Sequence, residues 1–122
     1  MNEHRGSARE RGYDTRWDAA RATFSRRNPW CLGCKAVGNL VATEVVDHVE
    51  PHKGDQVKFW NTTMWQPACR WCHDVIKRTL EQMFTRGEIA VSELWLNSKT
   101  ALSILRRRPR PSTFGADGWA QN

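Results

Sequence analysis

Nothing in this chain approaches the roughly 18 to 20 successive apolar residues that a membrane-spanning helix needs, and no membrane role is expected of it. The opening MNEHRGSARERG also lacks the apolar stretch of a secretory signal, so the protein is expected to be cytoplasmic. Apolar residues are scarce overall, at 39% with a mean hydropathy of −0.70. A core drawn from so few of them is small, and small domains usually depend on a staple. Acidic residues are outnumbered, 13 Asp plus Glu against 19 Lys plus Arg, which leaves a net charge of +6. An excess of that sign attracts a polyanion, of which nucleic acid is the commonest. No internal repeat is present apart from two CxxC pairs. In a reducing compartment those four cysteines read as metal ligands before disulfides.

At 122 residues the chain has room for one domain. Residues 1–12 read as a basic arm without periodicity, either lying on phosphates or simply solvated. A helix is expected over 15–27, with Thr15 and Asp18 as its capping pair and Trp17, Ala20 and Phe24 on one face. The β-branched run from Val41 to Val49 reads as a strand, paired either with the segment near Cys34 or with the one near Trp65. Residues 50–64 read as a loop, and the CRWC pair then opens a helix that continues to Gly87. A further amphipathic helix is expected over 91–107, where Leu94, Ala101, Leu102 and Leu105 share a side. The tail STFGADGWAQN shows no period.

Cys31, Cys34, Cys69 and Cys72 form CxxC, thirty-four residues, CxxC. Each pair supplies two neighbouring thiolates at little backbone cost, and four thiolates fill the tetrahedron that structural Zn2+ requires. Such a site is closed. It also ties the strand ending at Asp47 and His48 to the helix beginning near Cys69.

His73, Ile76 and Leu80 follow helical spacing, which places His73 inward with the apolar stripe. There it is either a satisfied core histidine or a ligand that meets Asp47 and His48 around one divalent ion. Asp47 is either that ligand or a strand-end cap. Neighbouring side chains of a regular strand point to opposite faces, so Asp47 and His48 address one ion only if the strand bends; otherwise they serve a substrate from two sides.

The stretch VVDHVEPHKGD followed by FWNTTMWQPACRWCHDVIK resembles the HNH endonucleases with a ββα-metal motif, particularly small phage and prophage members that work beside the DNA-packaging terminase. The resemblance is close from Cys31 to Lys77 and looser in RGSARERGYDTRW and GADGW. It implies an α+β fold: a zinc-stabilised ββα-metal core over residues 13–87, with flanking helices and a C-terminal helix and tail over 88–122. It also implies that His48 is the general base, that Asp47 and His73 hold one catalytic divalent metal (Mg2+, Mn2+, Ni2+ or Zn2+), and that the four cysteines hold structural zinc. DNA is the implied partner, with Arg70, Lys77 and Arg78 as phosphate contacts or as a solvated helix face. A terminase large subunit and portal are the implied protein partners.

The pattern departs at Met64, nine positions before His73, where the family carries an Asn that holds the loop of the base. A thioether donates nothing, so Asn61 is the candidate to replace it. His52 reads either as a loop-stabilising hydrogen-bonding group or as an imidazole with a direct role in the chemistry. The activity implied is a metal-dependent DNA endonuclease or nickase; the alternatives are a zinc-stabilised DNA-binding accessory module and a structural adaptor.

Overall fold

The computed structural model describes residues 13–111; the expected basic arm and the C-terminal tail lie outside them. Helix α1 runs Thr15–Arg27, as its apolar spacing predicts. Its cap differs from the expected Thr15 and Asp18 pair: the carboxylate of Asp14 accepts the N–H of Trp17 at 3.0 Å. An Asp one residue before the helix reaches the third orphan N–H directly, and so displaces the longer arrangement. Asp18 lies within 3.6 Å of Arg21 on the exposed face.

Helix α2, Leu32–Ala36, begins at Cys31 and forms the first knuckle. The expected strand over 41–49 is shorter. Only Val45–His48 forms β1, while Ala42 makes a single bridge to Trp30. The upstream part is instead bonded to the knuckle, where Cys31 N–H donates to Val41 O at 2.7 Å and Thr43 N–H to Pro29 O at 2.8 Å. Strand β2, Trp65–Ala68, pairs antiparallel with β1 so that Asp47 faces Gln66 and His48 faces Trp65. The expected loop over 50–64 contains helix α3, Gln56–Phe59, whose N-cap Asp55 accepts from Val57 and Lys58 N–H. A 3-10 turn, Thr62–Met64, then leads into β2.

The chain is helical from 70 to 85 and includes a wide π turn over Cys72–Lys77, followed by helix α4, Arg78–Thr85. Gly87, at φ +77, closes it. The single helix expected over 91–107 is broken in two. Val91–Leu94 is a 3-10 turn, and helix α5, Lys99–Arg107, starts afresh where Ser98 Oγ accepts the N–H of Ala101. Among the described residues this is a small α+β fold with five α-helices and one two-stranded sheet. None of the described helices is long and apolar enough to cross a membrane.

Alternation along the strands separates two cores. Val46 and Trp65 join Trp17 and Phe59 in an aromatic cluster. The larger cluster gathers the four cysteines with Trp71, Ile76, Leu80, Leu94, Leu96, Ala101, Ile104 and Leu105. Residues 88–107, expected as an appendage outside the 13–87 domain, therefore complete its interior, because the helix from 70 to 85 has an apolar face that the short sheet alone does not cover. Leu80 is fully buried there. Leu80→Ala is expected to cost about 2–5 kcal/mol, measurable as a lowered urea midpoint; a variant with an unchanged midpoint would show that the two halves do not share a core.

Candidate metal and catalytic site

The four cysteine sulfurs lie within 4.8 Å of one another, all buried. Cys34 Sγ is 3.8 Å from Cys69 Sγ and 3.7 Å from Cys72 Sγ. A tetrahedron with metal–sulfur bonds of about 2.3 Å has edges of about 3.8 Å, so the spacing fits zinc. The N–H of Cys72 points at Cys69 Sγ at 3.4 Å, as in a thiolate knuckle. Without a cation the four thiols are in conflict. The Cys31 thiol is drawn down, first by its hydrogen bond with Cys34, while those of Cys34 and Cys72 are pushed up, first by Cys31. A central divalent ion removes that conflict by deprotonating all four. Gly33 lets the knuckle approach closely, since a Cβ there would meet Leu96 Cβ and O at 3.3 Å.

On the face of the sheet toward the 70–85 helix, Asp47 is 4% exposed. Its Oδ2 accepts from Gln66 Nε2 at 2.8 Å and from Lys77 Nζ at 2.9 Å, which leaves Oδ1 toward His73. His73 was expected inward with Ile76 and Leu80. It stands at the rim instead, its side chain 41% exposed, because the π turn delays the helical phase between it and the buried residues that follow. Its Nδ1 donates to the carboxylate of Asp74 at 3.0 Å. In the neutral ring Nε2 then carries the lone pair, and it faces Asp47 Oδ1 at 3.5 Å.

That distance is too long for a good N–H···O bond, which falls near 2.7–3.2 Å as a rule of thumb. Two ligands of one small cation with bonds of about 2.1 Å stand about 3.0 to 3.4 Å apart, slightly closer than this pair at 3.5 Å. A carboxylate behind the imidazole is also the usual support of a metal-binding histidine. Asp47 and His73 are thus the two residues here that could hold a divalent ion between them.

His48 lies on the opposite face, in the aromatic cluster. Its ring stacks on Trp17, with centroids 5.2 Å apart, and tilts against Phe59 at 4.6 Å. Nε2 bonds the Phe59 carbonyl oxygen at 3.0 Å. A carbonyl only accepts, so Nε2 carries the proton and Nδ1 the lone pair. Burial, chiefly, and then the neighbouring His52 hold the imidazole pKa down to about 4, so the ring is neutral near pH 7. His52 fits the first of its two readings: Nδ1 accepts the N–H of Gly54 at 2.9 Å and Nε2 bonds Tyr13 Oη at 2.8 Å.

Asn61, the candidate to hold the base, does not reach it. Its Oδ1 accepts from Thr63 N–H at 3.2 Å and Thr63 Oγ1 at 2.5 Å, capping its own turn. Main-chain groups hold the base instead: Phe59 O on the ring, and Met64 O accepting the N–H of Val49 at 2.8 Å. Lys77, expected on phosphates, is 1% exposed and bonded within the fold, so it is corrected to an interior residue. Arg78 is exposed beside Glu81, Gln82, Thr85 and Arg86 and does not line the cleft described next.

Asp47, His48 and His73 line one open cleft of about 980 Å³. Asp47 and His48 thus address it from the two faces of one strand. Arg70 lines it, and so do Arg21 and Lys53, which sequence reasoning did not single out, together with the acidic Glu44 and Glu81. Arg21 sits one helical turn beyond Trp17, so the spacing of α1 already carried that signal; Lys53 depends on a loop conformation with φ +50 that no local pattern announces. Compared with family models, with curated proteins and with solved structures, the chain matches none of them.

Proposed function

We propose that this chain is a metal-dependent DNA endonuclease or nickase of the HNH type, with the four cysteines as a structural zinc anchor. One observation carries the reading: Asp47 Oδ1 and His73 Nε2 face each other at 3.5 Å, each braced from behind, in the same cleft as a neutral His48. A divalent cation bound there supplies positive charge where a phosphodiester's leaving oxygen becomes anionic. His48 Nδ1 takes a proton from the attacking water while the new P–O bond forms; the bond to the departing oxygen breaks, and that oxygen takes its proton from solvent. Arg21, Lys53 and Arg70 give the cleft cationic groups for flanking phosphates. A setting in phage or prophage DNA processing, beside a terminase large subunit and portal, belongs to this reading through the motif resemblance.

The test is conversion of supercoiled to nicked plasmid with Mg2+, Mn2+ or Ni2+, and its loss when the divalent ion is withheld. Salt-sensitive DNA binding without cleavage under any of the three ions would leave an accessory DNA-binding module in its place.

The main-chain bonds that hold His48 alter what Met64 should contribute. Its carbonyl already accepts from Val49, whatever its side chain, and the side chain packs against the larger core. Met64→Asn is therefore expected to leave the nicking rate within about twofold while costing on the order of 1–3 kcal/mol for a half-buried polar amide. Nicking kinetics and a thermal melt measure the two effects separately, and a rate gain of tenfold or more would show that the base is loose as it stands.

A further inference from the structure

Lys77 is a buried ammonium for which the reaction above has no use. Its Nζ lies 2.9 Å from the His48 carbonyl oxygen, 2.9 Å from Asp47 Oδ2 and 2.7 Å from Glu81 Oε2. Three acceptors match the three donors of an ammonium, which is how a buried charge is tolerated. Gln66, also fully buried, donates to the same Oδ2 at 2.8 Å and to Leu94 O at 3.2 Å, while its Oε1 accepts the N–H of Leu96 at 2.8 Å. Oδ2 therefore carries two donors, and Oδ1 is the oxygen of Asp47 left to a cation.

We propose that Lys77 is a positioning residue that restricts Asp47 to a single ligand atom, holds down the site's affinity for divalent ions, and ties the backbone of His48 to that ligand. The inference rests on the reading of Asp47 and His73 as ligands. Its physical basis is one ammonium with two consequences. Beside the carboxylate it opposes a second cation and keeps the ion exchangeable. Through the His48 carbonyl it fixes the residue carrying the base relative to the metal side of the strand. Removing it should separate two properties that ordinary structural damage lowers together.

Lys77→Met is expected to bind Mn2+ about tenfold more tightly, equivalent to about 1.4 kcal/mol, and to nick plasmid about tenfold more slowly. Zinc content should stay at the wild-type value. Mn2+ affinity is read by calorimetry on the zinc-loaded protein, and an affinity unchanged or weakened in a folded variant overturns the proposal. Should the variant not fold, the wild-type protein decides through the 15Nζ resonance of Lys77: Mg2+ is expected to shift that signal while it stays protected from solvent. A signal that does not move, or that is lost to exchange as the ion displaces the lysine, overturns it equally. The two readings fail separately. Tighter Mn2+ binding by Lys77→Met in a protein that cuts no DNA would sustain the restriction of Asp47 to one ligand atom and end both the nuclease reading and the tie to a base; wild-type nicking with an unmoved Mn2+ affinity would overturn the restriction and keep the nuclease reading.

Discussion

Removal of metal from the four cysteines is expected to unfold the chain, with one zinc released per molecule. Apparent binding free energies of structural zinc are about 10–16 kcal/mol, whereas a domain of this size has a total stability of about 5–15 kcal/mol. The cysteines sit within the larger cluster, against Trp71, Ile76, Leu96 and Ile104, so their release takes the core with it. The loss is not confined to the knuckles. Asp47 meets Lys77 and His73 only while the sheet is held against the helix that Cys69 and Cys72 begin. Titration with a mercurial in the presence of a zinc indicator, followed in parallel by near-ultraviolet circular dichroism, should show both signals changing together. Cys69→Ser should give the same result in weaker form, as poor recovery of folded protein. Metal-free protein that melts cooperatively at the wild-type temperature would remove the anchor.

Replacement of His48 by Ala is expected to lower the nicking rate by about 10²- to 10⁴-fold, the usual contribution of a positioned general base. Three separate features fix the ring: stacking on Trp17, a tilted contact with Phe59, and a hydrogen bond that leaves the proton on Nε2. Truncation also opens a space within the aromatic cluster, so a stability cost of about 1–3 kcal/mol accompanies it. The two effects are distinguished by working well below the melting temperature and by checking that zinc content and Mn2+ affinity are unchanged. His48 contributes neither to the tetrathiolate nor to the Asp47 and His73 pair, which is why both should survive. Equal cutting by wild type and variant would assign the proton transfer elsewhere.

Several features were legible because they are local. Helix α1 ends where its apolar spacing and the Asn-Pro step end it, and the CxxC spacing already implied two knuckles. The Asp55 cap of α3 was equally local and was missed because Pro51, Gly54 and the polar NTT around it read as pure loop. The break before α5 was a missed cap of the same kind: Ser98 precedes the helix, as Asp14 precedes α1. His73 illustrates a different limit. A regular helix places it with Ile76 and Leu80, and a single wide turn, invisible in the spacing, moves it to the rim.

The sequence by itself determined two thiol pairs spaced so that they could hold a metal, the approximate positions of helix α1 and of the helix after Cys69, and the presence of a carboxylate beside an imidazole at a strand end. Each depends on residues within a few positions of one another, where steric preference and hydrogen-bond reach decide. Tertiary structure alone decided what those groups are bonded to. It sent Lys77 inward to Asp47 and to the carbonyl of His48, gave His48 to the carbonyl of Phe59, and kept Asn61 in its own turn. It also brought Leu94 and Leu96 against Gln66, so that the C-terminal segment supports the buried carboxylate. The reason is that buried polar groups are strongly driven to find partners, and which partner lies within reach depends on how distant parts of the chain pack.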